Sequence, residues 1–266
     1  MNSITWKHAP TPRHPGIHVI EEALEDLVPY IDWKYFSKAW GLKTASQEAE
    51  NQIKEGKDFL KTIIQEKILQ AKGVFGFFRV QRIGDSLDLI DTPEYLHFLR
   101  QQVEHTPNQT LRSLADYFSP KDIDWIGLFA VSVGFGVETF KKQNTDEYQQ
   151  MLLHTVSARL TEAFSEKLHQ EVMKKYWAYA QDEAFGIRPA PGYPICPDHS
   201  EKATFWRLLE PEKRIGIQLT ESYMMIPASS TCGYYIAHPK SQYFSVGSIG
   251  KDQDLEYQNR KKQLKK

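Results

Sequence analysis

Cysteine is nearly missing from this chain, with Cys196 and Cys232 the only two in 266 residues. That excludes a disulfide framework and a cysteine-built zinc centre, leaves room for one bridge at most, and fits a reducing compartment such as the cytoplasm. Long hydrophobic runs are missing too. No uninterrupted apolar stretch approaches the roughly 20 residues of a membrane helix, and the start, MNSITWKHAPTPRHPG, has no apolar segment of the kind that directs export. Neither sign of charge is in excess, since 33 Lys and Arg stand against 34 Asp and Glu for a net charge of −1. Such a chain has no long-range field to hold a polyanion, so neither nucleic acid nor a membrane is expected as its partner. Repeats, low-complexity stretches and a Gly/Ser/Pro linker are likewise absent, which favours one continuous domain, and the length suffices to bury a sizeable core.

The segments that are present mix two periodicities. Residues 17–28 carry apolar positions at helical spacing up to Pro29, and IDWKYFSKAW follows as a second helix with Asp32 where an N-cap belongs. Residues 46–71 read as a long helix ended by Lys72 and Gly73, and 74–90 as a hairpin turning at Gly84-Asp85. The apolar run at 123–134 reads as a strand covered on both faces. From 146 to 179 an apolar stripe through Leu152, Val156, Leu160, Phe164, Leu168, Val172 and Tyr176 predicts a long half-buried helix. Four prolines and two glycines within the fourteen residues 186–199 then exclude a helix or a central strand. The segment SEKATFWRLL resumes helical spacing. Three short β-like runs, at 222–227, 231–237 and 242–249, precede a polar helical end. Helices and strands are interspersed without βαβ alternation, so the fold class is α+β with an antiparallel or mixed sheet.

Familiar catalytic signatures are absent, including the phosphate-binding loop, the two-histidine zinc helix and the nucleophile elbow. Gly134-Phe135-Gly136 lacks the further glycine of a dinucleotide fingerprint and reads as a strand-end turn. His14 and His18 are separated by Pro15 and Gly16 and suggest no third ligand, so no protein-bound metal is expected. The proline-rich loop is the strongest local signal, because stiffness lowers the entropy lost on binding. Arg188 can clamp a carboxylate or phosphate, Gly192 allows close approach to the main chain, and Tyr193 offers a ring face or hydroxyl. Equally, the loop can be a structural crossover whose arginine pairs with a neighbouring helix. Tyr223, Tyr234, Tyr235, Tyr243 and Phe244 form an aromatic region that more often covers a core than holds a ligand. Asp32 is a helix cap, or the partner of a ligand ammonium. From the residues alone, the end point is a groove able to receive a small zwitterion.

The string RPAPGYPICPDHSEKATFWRLLE at 188–210 resembles the activation domain of cobalamin-dependent methionine synthase, the domain that binds S-adenosylmethionine. Further stretches of the resemblance are PYIDWKYFSKAW, AKGVFGFFRVQRIGDSL at 71–87, LADYF with DWIGLFAVSVG at 114–134, ARLTEAFSEKLHQEVMKKYWAY at 158–179 and LTESYMMIPASSTCGYYIAHPKSQYFSVGSI at 219–249. They cover nearly the whole chain in order.

This resemblance implies a single domain with a twisted antiparallel sheet flanked by long helices, and S-adenosylmethionine in a shallow surface groove. The implied ligand positions are Asp32, Arg188, Ala190, Tyr193, Tyr243 and Phe244, with Glu162 and Asp182 or Glu183 as weaker additions. Arg188 would take the methionine carboxylate, Asp32 the ammonium, the main chain near Ala190 the adenine or ribose, and Tyr193 would lie near the sulfonium. No residue is assigned as a catalytic acid or base. The implied function is reductive methylation of cob(II)alamin to methylcobalamin, within methionine biosynthesis, with a flavodoxin-like protein as electron donor. The segment AQDEAF before Gly186 is shorter than in much of the family. The chain has no Asp-x-His-x-x-Gly motif, so the expectation is a free-standing methyltransferase component in the cytoplasm, acting on a separate methionine synthase that carries the cobalamin. A non-catalytic sensor or chaperone that binds the same ligand or a corrinoid protein, and a reactivase of another corrinoid methyltransferase, are the alternatives. The activation domain is expected over 1–259, with 260–266, RKKQLKK, as a solvated basic tail or a docking strip for an acidic partner.

Overall fold

The computed structural model describes residues 8–43, 45–103, 110–180 and 185–263. In chain order its elements begin with β1 (Gly16–Glu22), α1 (Leu24–Leu27), α2 (Trp33–Ala39), α3 (Gln47–Gln65), β2 (Gln70–Ile83), β3 (Ser86–Leu89), β4 (Tyr95–His97) and β5 (Asp124–Phe135). Then follow α4 (Val137–Gln143), α5 (Glu147–Glu171), α6 (Lys202–Leu209), α7 (Pro211–Ile215), β6 (Gln218–Leu219), β7 (Met225–Ile226), β8 (Ser230–Tyr235) and α8 (Lys251–Gln263). Among the described residues, no helix is long and apolar enough to cross a membrane.

The main sheet runs β4-β3-β2-β5-β8 and every pairing in it is antiparallel, which settles the choice between antiparallel and mixed. Strand β2 organises it. One edge of β2 pairs with β5 for most of its length, while the other takes β1 along Ala71–Phe77 and β3 along Val80–Ile83. The hairpin turn falls at Gly84-Asp85 as its composition predicts. Strand β5 is apolar on both faces because both are covered. Phe129, Val131 and Val133 enter a core shared with α3 and α5, while Ile126, Leu128 and Ala130 enter a second core with α6 and α7. A period of two therefore splits one apolar run between two cores.

Several sequence expectations are corrected. Residues 17–28 are not a helix. Ile17 and Ile20 lie opposite Gly76 and Gly73 of β2, and only the short helix Leu24–Leu27 and a 3-10 turn beginning at Val28 are helical. The β-branched residues gain a partnered ladder there, and tertiary pairing overrides the local pattern. Helix α3 ends at Gln65, short of residue 71, and Lys67 adopts a positive φ of 54° before β2 starts. Helix α5 stops at Glu171 and continues as a wider π-turn through Val172–Tyr176, so the stripe read to 179 is broken before its end. The run 242–249 contains no strand. It is an extended strap in which Val246 N–H donates to the Pro194 carbonyl (2.8 Å) and the Gln101 side chain donates to the Ser245 carbonyl (2.8 Å).

The basic end is not a solvated tail over its described part. Arg260 donates to Ser86 Oγ (2.9 Å) and to the Phe98 carbonyl (2.9 Å). Lys261 pairs with Asp198 (2.8 Å) and Glu201 (2.9 Å). Tyr257, on the same helix, is buried beside Leu99 and Val246, so α8 clasps the strap against the body.

Candidate functional site

The proline-rich loop is ordered by the sheet edge beside it. Tyr234 N–H of β8 donates to the Pro189 carbonyl (2.8 Å), and Ile187 bridges to Ile236. Loop and strand lie close enough that a Cβ at Gly233 would stand 2.6 Å from the Pro189 oxygen. Beyond Pro189 the chain closes on itself. Tyr193 N–H donates to the Ala190 carbonyl (3.2 Å), Cys196 N–H to Tyr193 (2.9 Å), and Gly192 N–H to Cys196 (2.8 Å). Gly192 takes a φ of +100°, and a side chain there would collide with the His199 ring.

This loop, the strap and helix α5 enclose a groove of about 480 Å³ lined by Phe129, Glu162, Arg188, Ala190, Tyr193 and Phe244, with Tyr243 at its margin. It shares Glu162, Arg188 and Tyr193 with a second hollow of about 480 Å³ that reaches Asp32, Arg159 and Glu166. All six principal candidates and Glu162 thus line one continuous depression, drawn from four separate parts of the chain. Asp182 and Glu183 lie outside the described residues. Tyr223 is elsewhere, and Tyr234 and Tyr235 are wholly buried, one in each core, as the commoner reading of aromatic strands expects.

Each polar member has a defined setting. Asp32 caps α2, its Oδ1 accepting from Lys34 N–H (2.9 Å), while its side chain lies at the surface. Arg188 is the convergence point. Its main-chain N–H donates to the Tyr243 hydroxyl (3.1 Å), and its guanidinium donates to Ser165 Oγ (2.8 Å) and Glu166 Oε2 (3.0 Å). Arg188 thus pairs with a neighbouring helix, as the crossover reading expects, and its side chain also lines the groove. Burial resists ionisation of Glu166, but hydrogen bonds from Gln170 and the charge of Arg188 outweigh it and hold the carboxyl below its ordinary range. Tyr193 and Tyr243 remain more than half exposed at 57% and 60%, so aromatic surface is open at the mouth. Burial, with the Glu162 charge, pushes the Tyr193 phenol up.

Behind the groove, His169 stacks on Tyr235 with ring centroids 5.4 Å apart, and its Nε2 lies 3.3 Å from the Tyr179 hydroxyl. Burial first, and Arg188 second, push the His169 imidazole down to about 4, so it is neutral at pH 7. Sequence reasoning missed Ser165, Glu166 and His169. Their signal was available, since positions 162, 165, 166 and 169 share one helical face.

Chemically the depression combines two guanidiniums, Arg159 and Arg188, carboxylates at its rim and an apolar, aromatic wall. That set suits a ligand with a carboxylate and a positive charge at one end and a flat, uncharged group at the other. A separate cavity of about 440 Å³ near Tyr223 is lined by Glu94, Arg207, Glu201 and Lys261. All four are engaged in ion pairs, Arg207 with Glu94 and Lys261 with Glu201. That arrangement builds structure rather than awaiting a charged ligand.

The protein-family model described as "Vitamin B12 dependent methionine synthase, activation domain" matches residues 23–262. Among solved structures, the crystal structure of the MetH reactivation domain bound to AdoHcy resembles this chain with a TM-score of 0.88 and 37% sequence identity, over 98% of this chain and 91% of that one. The chain belongs to the activation-domain family of vitamin B12 dependent methionine synthase.

Proposed function

We propose that the groove binds S-adenosylmethionine and that the protein serves reductive methylation of cobalamin carried by a methionine synthase. The observation that carries this reading is the convergence of Arg188, Asp32, Glu162 and the ring faces of Tyr193, Tyr243 and Phe244 on one depression. A structural relative is described as bound to AdoHcy, the demethylated form of that ligand, which supports the same reading.

The residues divide the ligand between them. Arg188 takes the carboxylate through its charged N–H donors, and Asp32 accepts from the ammonium with the oxygen its cap does not use. Glu162 offsets the sulfonium charge, and the Tyr193 ring face tolerates it. Phe244 and Phe129 cover the apolar side of the adenosine, and Ala190 offers main-chain groups to it. One electron from a flavodoxin-like donor to cob(II)alamin, followed by cobalt–carbon bond formation with the sulfur–carbon pair left on sulfur, would yield methylcobalamin and S-adenosylhomocysteine. The leaving thioether needs no proton, so the chain's work is positioning and exclusion of water.

The 266 residues contain no Asp-x-His-x-x-Gly motif, so the cobalamin is presented by another domain or polypeptide, and we place the encounter in trans. Both cysteines are buried and unpaired, as suits the reducing cytoplasm. The test mixes the protein with a cobalamin-bearing methionine synthase fragment that lacks an activation domain, a one-electron reductant and S-adenosylmethionine. Conversion of the cob(II)alamin spectrum to that of methylcobalamin, dependent on this protein, is expected. Unchanged cob(II)alamin overturns the proposal.

A further inference from the structure

Arg188 is held by α5 before any ligand arrives. Its guanidinium meets Ser165 Oγ and Glu166 Oε2, and both acceptors are themselves set. Ser165 Oγ donates to the Glu162 carbonyl (2.9 Å), while Gln170 Nε2 donates to Glu166 Oε1 (3.1 Å). One helix thus supplies the whole chain of contacts, at spacings of three and four residues that its geometry dictates. The Arg188 side chain is only 23% exposed, so Glu166 also keeps a largely buried cation paired.

We propose that Ser165 and Glu166 are positioning residues that fix the Arg188 guanidinium across the groove, so that the site selects ligands whose amino-acid end bears a carboxylate. The inference rests on the reading of the groove as an S-adenosylmethionine site and deepens it. A free arginine must surrender rotamer entropy when it grips a ligand, and here that loss is already incurred in folding. Two of the five N–H donors are spent on α5, and the other three belong to the same rigid plane, so the remaining grip is directional. If Glu166 were instead a competitor that the ligand must displace, shortening it would tighten binding.

Two variants separate these possibilities. Glu166→Gln keeps an acceptor oxygen at the same reach, Glu166→Ala removes it, and both remove the charge, so their ratio compares variants of equal charge that differ in the acceptor offered to Arg188. S-adenosylmethionine and its decarboxylated analogue are titrated calorimetrically into wild type and both variants, with folding checked by thermal unfolding. Wild type is expected to bind S-adenosylmethionine. Glu166→Gln should bind it five- to tenfold more tightly than Glu166→Ala, whereas the decarboxylated analogue should bind both variants equally within twofold. Equal binding of S-adenosylmethionine by the two variants, or tighter binding by Glu166→Ala, overturns the positioning role. The same ratio for both ligands also overturns it, by assigning Glu166 to the fold. Failure of folded wild type to bind S-adenosylmethionine overturns the underlying reading instead, and shows before any variant is compared.

Discussion

Arg188 and His169 show how far single residues could be read. Arg188 stood out because it opens a run in which Pro189, Pro191, Pro194 and Pro197 stiffen the backbone, and that stiffness is a local property of the sequence. Glu166 and His169 did not stand out, since their importance comes from facing Arg188 and Tyr235 across a fold that no local pattern encodes. His169 makes a definite prediction. In the folded protein it stays neutral down to about pH 4, whereas an unfolded histidine binds a proton near pH 6.5. The unfolded state therefore holds more protons between those values, and stability must fall as pH is lowered through that window. The contribution is about 3 kcal/mol, from about 1.4 kcal/mol for each pKa unit. His169→Phe, which keeps the stacked ring, should show a flatter loss of stability from pH 7 to pH 4 in urea titrations. An identical slope in both proteins would remove His169 from the account.

Among the elements, the long regular ones were legible and the partnered short ones were not. Helix α5, the hairpin of β2 with β3, and the doubly covered β5 all announce themselves by period or by composition. Strand β1 did not, because its helical spacing competes with a pairing to β2 that lies more than 40 residues along the chain. The basic end misled for a similar reason, since Arg260 and Lys261 look solvated until α8 is seen docked on Asp198 and Glu201. Burial resists ionisation of Asp198, but Lys261 and Ser200 outweigh it and hold its carboxyl down at about 2, whereas burial pushes Glu201 up despite Lys261. Lys261→Met should therefore strand the Glu201 carboxylate, which is only 3% exposed, and lower stability at pH 7 by roughly 3 kcal/mol. Adding Glu201→Gln should restore part of the loss in the same chemical denaturation assay. A double variant no more stable than Lys261→Met would show that the ion pair is not what the clasp depends on.

For the whole molecule, the antiparallel sheet with a core on each face is a platform, and the groove lies where α5 of one layer meets the loop and strap along the β8 edge. The α+β class and the membership of the loop were readable from pattern and motif. The assembly of Asp32, Glu162, Arg188 and Phe244 from distant stretches was readable only through family resemblance, because nothing in spacing relates residue 32 to residue 188. On the proposed function, this depression is an S-adenosylmethionine site anchored on Arg188. The most direct measurement is calorimetric titration of S-adenosylmethionine into wild type and Arg188→Ala, both verified as folded. Saturable binding at one site, weakened in the variant by about 1.5–3 kcal/mol as a lost charge-assisted contact requires, is the predicted result. Absence of saturable binding to wild type, or equal affinity in the two proteins, would contradict it.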